Sequence, residues 1–313
     1  MINLINRLLI FSFFLTIFSH ALTINHVQGN STFFAGISSQ AVQNAKNKLH
    51  IAYGHTSHGS QLTTGMNGLN DFINGGGLGM SCPTDFFDWN HGGIGGELDL
   101  HDSAMGGDVG YYPQWVNNTI SYLDNSANSN CNVIIWSWCG QINDKYLNGT
   151  LSNEYLLPMA ALETNYPNVT FVYMTGHLEH WADASLKAAN RLVRDFCTAN
   201  NKVLYDFADI ESYDPDGIYY EFANDNCDYY ASVSGAKLGN WAIHWQTTHV
   251  ENIDWYDCTS AHSEPLNANQ KAYGAWALWT GIAAIPEPGT FGAVICYLLF
   301  VIRRKSFFSY QKK

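Results

Sequence analysis

The stretch Asn132-Val133-Ile134-Ile135-Trp136 constrains the fold more than any other in the 313-residue chain. A strand with one face in water alternates apolar and polar residues. A near-continuous apolar run needs cover on both faces, which is the situation of a parallel sheet between helices. Similar runs at residues 49–53, 169–174 and 203–206 end in the same abrupt way, at Gly54, at Thr175-Gly176-His177 and at Asp206. Helical stretches are predicted at residues 41–48, 62–73, 112–123, 154–165, 185–200 and 267–282. The clearest is 185–200, where Ala189, Leu192, Val193 and Phe196 follow the i, i+3, i+4, i+7 rule. Gly65 and Gly68 weaken the second helix. A further short strand is expected over residues 85–89, running into the glycine-rich loop 90–96. Strands alternating with helices predict an α/β three-layer sandwich with a central parallel sheet. Residues 22–40 read as a mobile lead-in. Residues 212–255 show no period and read as an insertion or lid.

In open α/β sheets, ligands bind outside the carboxyl ends of the strands. Those ends present His55, Ser57, His58 and Ser60, then Asn90 with its glycines, Gln141 and Asn143, His177 and His180, and Asp206 and Asp209; His262 stands before the last helix. A nucleophilic serine needs a base within hydrogen-bond reach and donors aimed at the developing oxyanion. Ser57 is taken as the nucleophile, with Ser60 left to cap the helix that follows. His262 is the base. Asp206 and Asp209 are taken as structural.

This arrangement resembles the SGNH (GDSL-type) hydrolase superfamily over residues 48–283. The first block is Gly54-His55-Thr56-Ser57-His58-Gly59. It lacks the family's Asp but has the His-x-Ser-x-Gly form of some relatives. Asn90, Gly92 and Gly95 match the second block, Asn-x-Gly-x-x-Gly. For the Gly-x-Asn-Asp block the chain has Gly140 and Gln141, with Asn143 as the other candidate. Of the final Asp-x-x-His only His262 is kept. The resemblance implies a flavodoxin-like sheet and esterase chemistry. It makes Ser57 and His262 catalytic, with Asp257 as the acid; Asp254 and Glu264 are the other acid candidates. Gly95, Gln141 and Asn143 become oxyanion donors beside the Ser57 N–H. His55, His58 and His177 are read from their place at the strand ends as substrate-binding groups, with bracing of the loop as the alternative for His55 and His58 and a rival base as that for His177. No cofactor is expected.

Both ends of the chain read as addresses. Residues 1–21 carry Arg7, an apolar run and Ser19-His20-Ala21, the form of a secretory signal peptide. Residues 286–313 hold Pro286-Glu287-Pro288, an apolar run of twelve residues and Arg303-Arg304-Lys305. This tail resembles the PEP-CTERM sorting signal. That implies transient anchoring in the inner membrane, an exosortase as processing partner, and export to the cell surface or an extracellular polysaccharide matrix.

The domain between, residues 22–285, keeps 9 basic and 26 acidic residues, about −17. That excludes nucleic acid and anionic lipid as natural partners. Ten Trp and 18 Tyr offer platforms for sugar rings. Six cysteines in an exported domain fit disulfides. The expected activity is removal of acyl groups from a polysaccharide. Two other readings use the same residues. His55, His58, His177, His180, His262 and Asp206 could ligate a metal, although no spaced pair such as HExxH is present. Alternatively the domain binds polysaccharide without turnover.

Overall fold

The structure, a computed structural model, describes residues 21–285. The expected export segment and sorting tail lie outside the described residues. Seven strands form one parallel sheet: β1 (Thr23–Ile24), β2 (His50–Gly54), β3 (Trp89–Asn90), β4 (Leu98–Met105), β5 (Val133–Trp136), β6 (Thr170–Met174) and β7 (Val203–Tyr205). Their order across the sheet is β1-β7-β6-β5-β2-β4-β3. The chain leaves β2 towards β4 on one side and later returns to β5 on the other, so the order reverses at β2.

The period of two in each strand divides the core between two layers. Val133, Ile135, Val172, Met174 and Tyr205 face helices Ser39–Lys48, Ser60–Asn74 and Pro265–Ala284. Ile134, Trp136, Phe171, Tyr173 and Leu204 face helices Gln114–Leu123, Leu157–Asn165 and Asp183–Ala199. This is the three-layer sandwich that the apolar strands required. Each such side chain contributes about 1.5–3 kcal/mol through burial.

Local expectations fared unevenly. In Asp183–Ala199 the buried stripe is Leu186, Ala189, Asn190, Val193 and Cys197, so Leu192 and Phe196 lie at its margin. Residues 85–88 form a turn and its exit rather than a strand, and β3 begins only at Trp89. The strand beside β2 is instead β4, which was not foreseen. Its sequence, Leu98-Asp99-Leu100-His101-Asp102, alternates and is only partly buried. Residues 22–40 are integrated rather than a loose lead-in: β1 extends the sheet and Phe34 is fully buried. Gly65 and Gly68 stand where other chain crosses the helix. A Cβ on Gly65 would lie 2.1 Å from the Ala268 carbonyl oxygen, and one on Gly68 2.8 Å from the Tyr256 ring. All six cysteines between residues 22 and 285 are free thiols, so the expected disulfides are not formed. They sit on separate elements, each with its own neighbours: Cys131 beside Val133, Cys227 beside Ser263, Cys258 beside Asn269.

Residues 212–255 are ordered around a small core of their own. The hairpin β8 (Asp228–Tyr230) and β9 (Lys237–Asn240) leads into helix Trp241–Thr248, and Cys227, Trp241, Ala242, Trp245 and Trp255 pack together. Among the described residues no helix is long and apolar enough to cross a membrane.

Every residue of the last helix from Leu266 to Trp279 is buried, Lys271 included. Lys271 Nζ lies 2.6 Å from Glu211 Oε1 and 3.7 Å from the Phe207 ring centre, and it also donates to Gln61 Oε1. Burial pushes the Lys271 ammonium down and the Glu211 carboxyl up; each partner's charge opposes this. Removing one member leaves an uncompensated charge in the core. Lys271→Met is therefore expected to lower the unfolding free energy by about 3–5 kcal/mol in urea titrations. A loss under about 1 kcal/mol would show that the pair is not a structural hub.

Candidate active site

β2 lies at the point where the sheet order reverses, between β4 and β5. Its last residue, Gly54, is in register with Met105 and with Trp136. Three turns therefore start at one level: His55 to Gly59, Gly106 to Gly110, and Ser137 to Gln141. Asp108 joins them, because its Oδ2 accepts from Thr56 Oγ1 at 3.3 Å and from Gln141 Nε2 at 3.4 Å. The turn after β6 supplies His177 and Glu179.

Ser57 is exposed in the first turn, and His262 Nε2 lies 2.9 Å from its Oγ. These residues are 205 positions apart in the chain. His262 adopts φ +62°, a left-handed conformation uncommon for a residue with a side chain. Ser60 does not cap the helix that it opens. Its hydroxyl donates to the Ser57 carbonyl at 2.6 Å, and the N-cap position, Gly59, has no side-chain cap. This bond pins the Ser57 carbonyl and leaves Ser57 Oγ to His262.

No carboxylate orients His262 among the described residues. Asp257 is exposed and makes no hydrogen bond or ion pair there. Asp254 accepts from the Val250 N–H at 2.8 Å, and Glu264 accepts from Asn240. The His262 ring instead stacks on His58, with centroids 4.3 Å apart and planes 15° apart. His58 stacks in turn on His177, at 3.7 Å and 2°. His58 Nε2 lies 3.1 Å from Asp225 Oδ2, and its Nδ1 3.5 Å from Cys139 Sγ. Asp225 is itself held by the Asn226 N–H at 2.9 Å and by Asn224 Nδ2 at 2.6 Å.

Burial alone would lower the His58 pKa, but the bonds to Asp225 and Cys139 outweigh it and raise the value to about 9. His177 goes the other way, down to about 4, through burial and the neighbouring His58 charge. Burial, with Asp225 nearby, raises Glu179 to about 7. The stack thus holds a cationic His58 against a neutral His177. His177 Nε2 and Glu179 Oε2 are buried without a hydrogen-bond partner.

The other expected residues are dispersed. His55 is fully engaged: Nε2 is 2.7 Å from Asp102 Oδ1 and Nδ1 2.9 Å from the Thr56 carbonyl, so it braces the turn. Gly95 lies near the other end of the sheet. Asn90 of its loop is in register with Asp99, and Asp99 with His50, the first residue of β2. The glycine turn that starts level with the end of β2 is Gly106-Gly107, after β4. Gln141 Oε1 and Asn143 Oδ1 are buried and unpartnered close to that turn's Asp108 and in the following helix. Asp206 is structural, gripping Arg194 through bonds of 2.6 and 2.8 Å, and Asp209 pairs with His26. Asp225, Glu179, Cys139 and Asp108 were not foreseen as site residues. A carboxylate in an aperiodic insertion carries no signal of where it will fold.

Of the residues weighed as metal ligands, His55 and Asp206 are engaged elsewhere, and His180 stacks on Tyr230 with its Nδ1 buried and not hydrogen-bonded. His58, His177 and Asp225 do bring ligand atoms within 4.8 Å of one another. Imidazole lone pairs lie in the ring plane, however, so two parallel rings 3.7 Å apart cannot both point at one ion. The arrangement suits proton holding and stacking.

The raised pKa of His58 has a definite consequence for stability. A folded value of about 9, above the unfolded 6.5, gives stabilisation that is complete below pH 6.5 and lost as pH rises towards 9. Asp225→Asn removes most of it. The stability difference between wild type and Asp225→Asn is expected to shrink by roughly 1–3 kcal/mol from about pH 6 to about pH 9.5 in urea titrations. A difference independent of pH would show that His58 is not the titrating partner.

No family model matches the chain, and no curated protein or solved structure matches it either, so what the site does is read from its side chains.

Proposed function

We propose that the domain is a serine hydrolase that removes acyl groups from an acylated polysaccharide. The observation that carries this reading is the 2.9 Å approach of Ser57 Oγ to His262 Nε2 at the sheet's reversal point. In the reaction, Ser57 Oγ attacks the ester carbonyl and His262 takes its proton. The carbonyl oxygen gathers negative charge, which backbone donors stabilise best when aimed there in advance. The Ser57 N–H, at the amino end of helix Ser60–Asn74, and the N–H groups of the Gly106-Gly107 turn serve this role, with Gln141 Nε2 at the edge. His262 returns the proton to the departing sugar alcohol. Water, activated by the same imidazole, then releases the acid from Ser57.

Two further features support a polymeric, sugar-like substrate. Ser57 and His262 are exposed, so a chain too large for a closed pocket can reach them. Tyr111, Tyr112 and Trp181 are also exposed, at 56, 46 and 70%, on the segments that follow the β4 and β6 turns. Aromatic faces of this kind suit the apolar faces of sugar rings. With an export segment at residues 1–21 and an exosortase-read tail at residues 286–313, the reaction takes place outside the inner membrane.

The test compares Ser57→Ala, Ser60→Ala and His262→Ala on an aryl acetate and on an acetylated polysaccharide. Ser57→Ala and His262→Ala are expected to lose at least about 1,000-fold in kcat. Ser60→Ala keeps its chemistry and loses at most about tenfold, through a looser turn. Equal activity in the two serine variants would sink the assignment.

A further inference from the structure

The dyad leaves unexplained a second nucleophile in the same crevice. Cys139 Sγ lies 3.5 Å from His58 Nδ1, and the other nitrogen of that ring lies 3.1 Å from Asp225 Oδ2. Thiol, imidazole and carboxylate therefore stand in relay order, the arrangement that makes a cysteine nucleophilic. The three come from the β5 turn, the β2 turn and the insertion. Ser57 and His58 are adjacent in sequence, yet each imidazole serves a different nucleophile: His262 faces Ser57, and His58 faces Cys139.

We propose that Cys139 is a reactive thiolate and a covalent modification site for soft carbon electrophiles, activated by His58 and Asp225. Cys139 is half-buried, within reach of a small reagent. The Gly140 N–H adds a further donor to its sulfur. The surroundings also hold unspent polar capacity. His177, stacked on His58, is 95% buried; its Nε2 makes no hydrogen bond and lies 3.6 Å from Glu179 Oε1, which is 2.8 Å from where a Cβ on Gly140 would stand. The groups facing His58 are Asp225 and Cys139 through hydrogen bonds, His177 and His262 through stacking, with Glu179 and Glu211 beyond.

The chemistry balances without a further reactant. His58 is already the imidazolium, donating to Asp225 on one side; the Sγ proton leaves to solvent, and the thiolate accepts from His58 Nδ1–H on the other side. The sulfur electron pair forms the bond to carbon while the bond to the leaving group breaks and that group departs with its own pair. The hydrogen bond from His58 holds the Cys139 thiol below its ordinary value against the opposing effect of burial. Burial pushes the other five described thiols up, Cys131 to about 11 and Cys197, Cys227 and Cys258 to about 12.

The experiment is alkylation of the folded protein by iodoacetamide at about pH 6.5, where an ordinary thiol is almost wholly protonated, read by peptide mass spectrometry. Cys139 is expected to be modified at least about tenfold faster than the half-buried Cys82. His58→Gln and Asp225→Asn should each slow Cys139 by about tenfold or more, their folding checked by circular dichroism. A pH titration of thiolate ultraviolet absorbance, wild type minus Cys139→Ser, gives a second readout and should place its midpoint below that of a free thiol. Ser57→Ala should leave the Cys139 rate unchanged, so this proposal can stand or fall apart from the hydrolase reading. A Cys139 rate no faster than that of Cys82, or one indifferent to both folded variants, would overturn it.

Discussion

The crevice depends on one buried charge pair, Lys271 with Glu211. Neither side chain reaches solvent, so each needs the other, and every remaining donor and acceptor on the two must also be used. Glu211 uses its second oxygen to hold the Leu178 N–H at 2.8 Å, fixing the residue after His177. Lys271 holds Gln61, and the Gln61 amide donates to the Ala261 carbonyl, fixing the residue before His262. One ion pair thus ties together the two loops whose imidazoles flank His58. The neighbouring residues of the last helix continue the pattern. Asn267 donates to Ser263 at 2.7 Å, Asn269 exchanges two bonds with the Tyr256 backbone, and Gln270 donates to the Tyr213 carbonyl. A run of buried polar residues, costly in any other helix, is here the means of hanging the loops of the site on its scaffold.

The same hub explains how a serine–histidine pair can stand without an acid on its own imidazole. A carboxylate in such a site chiefly fixes the ring's orientation and tautomer. Here the His262 ring plane is set by stacking on His58, and the His58 plane by stacking on His177 and by its bonds to Asp225 and Cys139. The His177 ring is in turn fixed by its bond to the Leu178 carbonyl at 3.0 Å, on the residue that Glu211 anchors. Orientation is passed from ring to ring rather than from a carboxylate to its base. The nearest acid therefore acts one ring away from the serine.

How much of this was legible follows from what each element needs locally. The apolar run of β5 demanded cover on both faces, and the three layers followed. Ser57 and His262 could be paired across 205 residues because a turn after the first core strand and a turn before the last helix meet in a sheet of this order. β4 was not legible. It lies near the edge of the sheet, and Asp99, His101 and Asp102 interrupt its apolar positions, so it reads as a loop. Missing it put the expected glycine donors at the wrong end of the sheet, since the glycine turn level with the end of β2 follows β4 and not β3. The last helix was only half legible: it is buried all round, and a stripe analysis sees a fraction of it. Asp225, Glu179 and Cys139 carried no sequence signal as a group, because their meaning lies in contacts between separate turns.

The insertion changes meaning most. A lid would be expected to pack lightly and to open. Residues 212–255 instead close a core of Trp and Tyr residues that includes Leu178 on one side and Leu266 on the other, next to both histidine loops. Asp225 stands on this support, tied by Asn224 and Asn226, and delivers its charge to His58. The segment is thus a wall of the crevice and the source of its nearest carboxylate. A sheet and helices alone would present Ser57, His58 and Cys139 with no carboxylate hydrogen-bonded to the His58 ring. The insertion is what turns a cluster of nucleophiles and imidazoles into groups with assigned protons.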